Sequence, residues 1–182
     1  SCLKWLLVAL TEQNRDAPKT IIYCSRQKDC GIIFCHFICE LGTSAYLSNM
    51  DNRSDHCVLG MYHANTLDKN KKRVMTELLK VNGVCRVVNA TTALGMGINI
   101  PCVQYVIHYG PPIEVDDFMH EIGRGGTDGK EATSLLYYNG MQLRKCEKSM
   151  KVYAKSTGVC LRQIILNQFE ETNVPNQGTH KC

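Results

Sequence analysis

Residues 86–130 read RVVNATTALGMGINIPCVQYVIHYGPPIEVDDFMHEIGRGGTDGK, and the rest of the chain is organised around this stretch. It contains an apolar run, a glycine-rich turn at Gly95 and Gly97, a second apolar run, a short acidic helix start and a second glycine-rich turn that carries Arg124. Glycine-rich turns near the ends of buried strands let backbone N–H groups approach phosphates closely. From the glycines alone, a plain strand-to-loop turn and a phosphate-binding turn both remain open.

Short apolar runs alternate with segments of helical periodicity along the whole chain. The runs predict strands at residues 20–24, 57–63, 84–90, 103–109 and 132–138, and the periodic segments predict helices at residues 3–13, 26–41, 68–80 and 114–122. This alternation indicates an α/β fold, a doubly wound parallel sheet with helices on both faces. Ligands of such sheets sit beyond the carboxyl ends of the strands, so we expect both glycine-rich turns at that edge.

The C-terminal part has a different pattern. Residues 141–153 and 157–169 predict two helices that form a hairpin outside the sheet, followed by a polar tail. We therefore expect two domains, residues 1–140 and residues 141–182.

Composition narrows the class of protein. A net charge of +4 indicates no large polycationic surface, so nucleic-acid binding would require a local groove. Eleven cysteines without a convincing secretory signal favour reduced thiols in the cytosol or nucleus, and no run is long enough to span a bilayer. Because the chain begins at Ser1, we expect it to be a piece of a longer protein.

Two helices carry side chains that need an interpretation. Cys35, His36 and Cys39 lie within two turns of the second predicted helix, and core packing is a simpler explanation for them than zinc binding. The third predicted helix has a basic face and an apolar face that we expect to be buried. The basic residues are Lys69, Lys71, Lys72 and Arg73, and the apolar ones are Val74, Leu78 and Leu79. A solvated face and a phosphate-contacting face both remain open for the lysines.

Four motifs, in the expected order, resemble those of one family. Residues 21–25 (IIYCS), 62–64 (YHA), 90–99 (ATTALGMGIN) and 119–129 (MHEIGRGGTDG) are similar to motif IV, the YHA box, motif V and motif VI of the RecQ family of ATP-dependent 3′–5′ DNA helicases. The resemblance extends from about residue 5 to about residue 169. It implies a RecA-like second motor domain, which holds half of an ATP–Mg²⁺ site and half of a single-stranded DNA track.

The resemblance assigns roles residue by residue. Arg124 is implied as the catalytic residue that faces the γ-phosphate, with Glu121 and Asp128 holding it in place. The implied ATP-binding residues are Gly95, Gly97, Asn99, His120, Glu121, Gly123, Arg124 and Asp128, and the implied DNA-binding residues are Ser25, His63, Thr91 and Thr92. The implied partners are single-stranded or forked DNA and the first RecA-like domain of the same parent chain, in the nucleus, or in the cytoplasm of a prokaryote. No membrane partner is expected.

The chain departs from the family pattern at several positions. His120 replaces the glutamine that opens motif VI, and Thr127 replaces its second arginine, the presumed arginine finger. Cys160 and Cys182 are the candidate zinc ligands of a partial RecQ-type zinc-binding domain, but Ala154 stands where the first ligand belongs. The chain also has neither a Walker A loop nor a DEAH box, so we do not expect it to hydrolyse ATP alone.

Three interpretations therefore stay open. The first is the second motor domain of a RecQ-type helicase, and the second is an inactive nucleic-acid-binding or protein-interaction domain derived from one. The third, an unrelated nucleotide-binding α/β protein, fits the four ordered motifs less well.

Overall fold

The computed structural model describes residues 2–47, 53–94, 98–158, 160–161 and 163–164. Within these residues, helices and strands alternate along the chain. They are α1 (Lys4–Gln13), β1 (Thr20–Cys24), α2 (Gln27–Leu41), β2 (Leu59–Tyr62), α3 (Asp68–Leu78), β3 (Val87–Ala90), β4 (Tyr105–Tyr109), α4 (Val115–Ile122), β5 (Thr133–Tyr137), α5 (Gly140–Arg144) and α6 (Lys148–Lys155).

The five strands form one parallel sheet in the order β2-β3-β1-β4-β5. Because all strands point the same way, their carboxyl ends meet at one edge, which we call the carboxyl rim. The opposite edge is called the amino edge. Helices cover both faces, which confirms the predicted doubly wound α/β architecture.

Alternating side chains of the strands supply two cores. On the first face, Ile22 and Ile107 pack against α1 and α2 through residues such as Leu6 and Phe37. On the second face, Ile21, Val88 and Val106 pack against Val74 and Leu78 of α3. All five residues of β1 are buried, as expected for the central strand of a sheet covered on both sides.

The segment between β3 and β4 crosses the second face from one edge to the other. At the carboxyl rim, the backbone N–H of Thr91 donates to the carbonyl of Tyr62 over 3.2 Å. At the amino edge, the ammonium of Lys19 donates to the carbonyl of Pro101 over 2.9 Å. Gly95 and Gly97 lie outside the described residues.

The second glycine-rich turn lies at the amino edge, so the expectation that it sits at the carboxyl rim is wrong. The backbone N–H of Gly126 donates to the carbonyl of Val103, two residues before β4 begins. The reason is the direction of α4, which starts beside the carboxyl rim and runs back against the strands. Its last residue therefore arrives at the opposite edge.

The C-terminal helices lie outside the sheet and pack on α4. The predicted helix at residues 141–153 is two helices, because the backbone N–H of Glu147 donates to the carbonyl of Ile113 and the chain turns there. Leu143, Cys146 and Met150 bury themselves against Phe118. Most of the second predicted helix, residues 157–169, lies outside the described residues.

Two further side-chain expectations are wrong. Cys35, His36 and Cys39 are exposed, because the buried side of α2 is formed by Cys30, Ile33, Phe37 and Leu41 at helical spacing. Leu79 is 48% exposed, because α3 ends at Leu78 and the chain turns away from the core.

A search of the described residues for helices able to cross a membrane gives none.

Candidate functional site

Three adjacent strands end in candidate DNA-binding residues. Tyr62, Ala90 and Tyr23 are paired across β2, β3 and β1, so the residues that follow them lie side by side at the carboxyl rim. These are His63, Thr91 and, two positions after Tyr23, Ser25. Neighbouring strands are about 4.8 Å apart, so the row is about 10 Å long. The sequence predicted the members of this row, and the sheet brings them together.

The row presents hydroxyl groups and one imidazole. The hydroxyl of Ser25 donates to the carbonyl of Pro111 over 3.3 Å, and Ser25 and Thr92 are exposed. Thr91 is half-buried, and its hydroxyl accepts from the backbone N–H of Ala93 over 3.4 Å. Hydroxyls and backbone amides in such a row suit contacts with a sugar–phosphate backbone.

His63 lies at the edge-strand end of the row and is 9% exposed. Its backbone N–H donates to the hydroxyl of Thr66 over 3.1 Å. Its Nδ1 atom is buried and has no hydrogen-bond partner among the residues that the structure describes. A buried nitrogen without a partner costs free energy, which a ligand could recover by bonding to it.

Charges divide the carboxyl rim into two halves. The helices α2 and α3 begin beside the row, and the partial positive charge of a helix N-terminus attracts anions. The exposed cations near these helix starts are Arg26, Lys28, Lys69 and Lys72. Beside β4 the rim carries three exposed carboxylates instead, those of Glu114, Asp116 and Asp117. A polyanion is therefore favoured over β1, β3 and β2 and opposed over β4.

Arg124 lies on the second face, below the carboxyl rim. It is half-buried, and its Nη1 atom donates to the carbonyl of Ile98 over 2.8 Å. This bond joins the turn after α4 to the end of the stretch that resembles motif V, where Asn99 is exposed. The sequence predicted this proximity, and the structure shows it.

The guanidinium of Arg124 also reaches the phenol of Tyr23. Burial raises the pKa of Tyr23, and the nearby Glu121 carboxylate raises it further, while the charge and hydrogen bond of Arg124 act in the opposite direction. Tyr23 therefore stays a neutral phenol that accepts from Arg124. Nothing in the sequence singled Tyr23 out, because it lies within an apolar strand.

Glu121 does not hold Arg124 through its carboxylate, contrary to the expectation. Its Oε2 atom lies 2.8 Å from Nε2 of His108, and both side chains are buried. The ring of His108 stacks on Tyr23 at 5.4 Å between centroids, and Phe118 packs against it at 4.6 Å. His108 was not predicted, although an imidazole inside the apolar run VIHY was the available signal.

Asp128 also has partners other than Arg124. Slight desolvation raises the pKa of Asp128, but hydrogen bonds from the Cys102 thiol and from backbone N–H groups outweigh it, and the net shift is downward. Next to it, the hydroxyl of Thr127 donates to the carbonyl of Ile100 over 3.1 Å. Both residues are exposed at the amino edge. The turn is thus tied to the same short segment, residues 98–102, that Arg124 contacts.

The remaining candidate positions are scattered or not described. His120 is exposed on α4, and Gly123 ends that helix. Gly95, Gly97 and Cys182 lie outside the described residues, and Cys160 is half-exposed. The described part of the chain contains no group of three or more His, Cys, Asp or Glu side chains placed to hold a metal ion.

Lys19 is the most deeply buried charged residue that the sequence did not point to. Its ammonium is fully buried and donates to the carbonyls of Leu78, Lys80 and Pro101, each over 2.9 Å. Burial lowers the pKa of Lys19, and the positive charge of Arg86 lowers it further. Lys19 therefore ties the end of α3 to the segment that holds Arg124.

Comparisons with known proteins identify the relatives of the chain. The family model of the helicase conserved C-terminal domain matches residues 3–129. The chain is 30% identical over 178 residues to the mouse protein named ATP-dependent DNA helicase Q1, covering 91% of this chain and 25% of that one. It is also 30% identical over 166 residues to the Xenopus laevis RecQ-like DNA helicase BLM, covering 80% and 12%.

The fold has close structural neighbours as well. A solved structure of Mss116p bound to single-stranded RNA and AMP-PNP matches with a TM-score of 0.61 at 16% identity, covering 93% of this chain and 31% of that one. This likeness confirms the RecA-like fold, and the sequence relatives confirm the resemblance to RecQ helicases. The chain spans about a quarter or less of the length of these two relatives. Because the family model covers more than half of its residues, the chain belongs to the helicase conserved C-terminal domain family.

Proposed function

We propose that the chain is the second motor domain of a RecQ-like ATP-dependent 3′–5′ DNA helicase. The observation that carries this proposal is the row of Ser25, Thr91 and His63 at the ends of three adjacent strands. The row lies beside two helix N-termini with exposed cations, as a track for a sugar–phosphate backbone requires. Names of the relatives point to DNA as the substrate.

The rim supplies half of a single-stranded DNA track. The hydroxyls of Ser25, Thr91 and Thr92 contact successive phosphates without reading bases, and His63 lies at the end of their row. Lys28 and the starts of α2 and α3 add favourable potential. The carboxylates of α4 keep the backbone away from β4.

The second face supplies half of an ATP–Mg²⁺ site. Arg124 donates one hydrogen bond from Nη1 to the carbonyl of Ile98. The guanidinium has further N–H donors in a planar, forked arrangement, and this geometry suits phosphate oxygens. Asn99, His120, Gly123 and Asp128 belong to the same half-site, together with Gly95 and Gly97, while Glu121 orients His108 and Tyr23 beside Arg124. ATP bound with Mg²⁺ supplies the phosphoryl-transfer chemistry, and the first motor domain of the parent chain supplies the other half.

Closing and opening of the cleft between the two domains moves the rim relative to the first domain's track. The two domains bind the phosphates of the strand tightly in turn, so each cycle of ATP hydrolysis moves the helicase along the DNA. Such a helicase acts in the nucleus in recombination and repair. Because the chain offers only half of each site, it does not hydrolyse ATP by itself.

The test is single-stranded DNA binding by the chain. We expect affinity for a fluorescent oligothymidine to fall between 50 and 200 mM NaCl, since phosphate contacts release counterions. Exchanging both hydroxyls for methyl groups (Thr91→Val with Thr92→Val) should weaken binding about three- to ten-fold. The control is Thr43→Val, at an exposed position in the 3-10 turn Gly42–Ala45 that follows α2, away from the rim. Binding that ignores salt, or equal loss in the control, contradicts the proposal.

A second candidate function is an inactive DNA-binding domain that retained the fold. Thr127 favours it, because its hydroxyl is engaged with Ile100 and cannot supply the charge of an arginine finger. DNA binding at the rim is common to both candidates. Hydrolysis by the complete helicase separates them.

A further inference from the structure

The outer surface of α3 carries two lysines for which the proposed motor names no direct contact, only the potential they add beside the rim. Lys69 and Lys72 are one helical turn apart and exposed. Neither makes an ion pair or hydrogen bond with another described residue. Lys71, by contrast, folds back onto the loop after β2, where its ammonium donates to the carbonyl of Ala64 over 2.8 Å. Lys69 and Lys72 are therefore available to an external anion.

The two lysines open onto a cleft of about 280 Å³ between α3 and the short 3-10 turn at Ser54–His56. The cleft runs along α3 from its first turn to Glu77 in its last. Ser54, Asn70 and Thr76 supply polar groups along its walls. A cleft of this length and polarity fits an extended, hydrated chain better than a compact apolar ligand.

The floor of the cleft is positively charged. Arg73 uses Nη1 and Nη2 to bond the carbonyls of Cys57 and Leu59 at 3.3 and 3.0 Å, which fixes its charge beside the edge strand β2. Glu77 is already neutralised, because it pairs with Lys80 and accepts from the backbone N–H of Val84. Two carboxylates line the cleft, those of Glu77 and Asp55. Among the described residues, Asp55 has no cation paired with it. The lining thus retains excess positive charge.

The position of the cleft connects it to the rim. The row of strand ends finishes at His63, and α3 begins five residues later at Asp68. On the other side of the row, beside β4, the exposed carboxylates of Glu114, Asp116 and Asp117 repel phosphates. A strand that lies on the row is therefore repelled on the β4 side and meets the exposed ammonium of Lys69 beyond the exposed Asp68 on the β2 side.

We propose that single-stranded DNA leaves the carboxyl rim past His63 and follows the α3 cleft, with Lys69 and Lys72 each contacting one further phosphate. This path rests on the proposed function, because it extends the same track. It makes the binding site of this domain longer than the rim row alone, and it places the extra length on the side of β2.

The test uses oligothymidines of two lengths. The variant Lys69→Gln with Lys72→Gln should bind a 20-mer about ten-fold more weakly than the unmodified chain. A 6-mer, for which the two lysines add only long-range potential beside the rim, should bind at most about two-fold more weakly. Two lost contacts should also reduce the salt slope for the 20-mer by about 1.4, at about 0.7 for each phosphate. The control, Arg15→Gln with Lys130→Gln, removes the same charge from exposed positions at the amino edge and should bind both oligomers normally.

A third variant tests the sign of the charge effect. Asp55→Asn removes the unpaired wall carboxylate and should strengthen binding of the 20-mer about two- to three-fold without changing the 6-mer. Equal loss at both lengths, equal loss in the control, or an unchanged 20-mer in the lysine variant would overturn the path. Failure of the unmodified chain to bind either oligomer would overturn the proposed function itself.

Discussion

Arg124 and Ile98 are joined by a hydrogen bond of 2.8 Å from guanidinium to backbone carbonyl, although they lie 26 residues apart in the chain. The bond connects the turn after α4 to the segment that crosses the second face. Part of the guanidinium of Arg124 thereby holds local structure, and under the proposed function its remaining N–H donors bind a phosphate.

The structural task predicts a local effect of Arg124→Lys. Lysine keeps the charge but cannot reach both the Ile98 carbonyl and the Tyr23 phenol with one planar group. We expect hydrogen exchange of the backbone amides in residues 98–103 to become about ten-fold faster, as for about 1.4 kcal/mol of lost local stability. Arg144→Lys, at an exposed position in α5, is the control. Unchanged exchange in residues 98–103 would show that other contacts hold the segment.

Lys19→Met tests the buried ammonium at the amino edge. Methionine fills the space but leaves the buried carbonyl of Leu78 and the part-buried carbonyls of Lys80 and Pro101 without their donor. A buried unsatisfied group costs about 1–3 kcal/mol and a part-buried one less, so we expect unfolding free energy to fall by about 2–3 kcal/mol in urea titrations. Lys28→Met at an exposed position should stay within about 0.5 kcal/mol of the unmodified chain. A small loss at Lys19 would mean that water replaces the ammonium.

The buried pair of Glu121 and His108 gives a graded prediction. Glu121→Gln preserves a hydrogen-bonding oxygen for Nε2 of His108 and should cost about 1 kcal/mol or less of unfolding free energy. Glu121→Ala leaves both ring nitrogens of His108 unpaired, since Nδ1 already lacks a partner among the described residues. We expect the alanine variant to lose about 3 kcal/mol. Equal losses in the two variants would indicate that packing, and not the hydrogen bond, dominates.

Buried thiols predict a loss of stability at alkaline pH. Burial raises the pKa of the Cys85 thiol to about 12 from an ordinary value of 9.0. The unfolded chain therefore releases this proton first, and stability falls as pH rises above about 9. Between pH 7.5 and 10 the contribution of Cys85 is about 1.4 kcal/mol. Urea titrations of Cys85→Ala at the two pH values should show a drop smaller by that amount, whereas exposed Cys39→Ala should not.

The pattern of apolar runs was enough to predict the sheet, because buried parallel strands have a strong local signal. β1 begins and ends at the predicted residues, and the other four strands lie inside their predicted ranges. The location of Arg124 near Ile98 also followed from the two glycine-rich motifs. What the motifs could not give was the edge at which the second turn lies, which depends on the direction of α4 relative to the strands.

Contacts between distant residues were the least predictable part of the site. Lys19 looks like a surface lysine before a strand, and only the meeting of α3 with Pro101 makes it a buried donor. Glu121 lies within motif VI and could be singled out from the sequence. Its partner His108 lies within an apolar strand, so the sequence pattern did not mark it as a site residue. The thiols of Cys35 and Cys39 were misplaced because free cysteine is usually buried, whereas the phase of α2 puts these two on its outer side.

Thr127→Arg distinguishes an active motor from an inactive descendant. The hydroxyl of Thr127 is engaged with the Ile100 carbonyl, but the residue is exposed, so an arginine side chain finds room towards solvent. Losing that bond should cost about 1 kcal/mol, which a folded domain tolerates. In the complete helicase, with its first motor domain, the new guanidinium should raise DNA-stimulated ATP hydrolysis by at least ten-fold, because a second positive charge stabilises the transferring phosphoryl group. Thr127→Gln, which is long but uncharged, is the matched control and should leave hydrolysis low.

A helicase that already hydrolyses ATP rapidly with Thr127, and gains nothing from arginine, would show that this position has no role in phosphoryl transfer here. If neither variant hydrolyses ATP while both bind single-stranded DNA at the rim, the domain is an inactive descendant that binds DNA without supporting ATP hydrolysis.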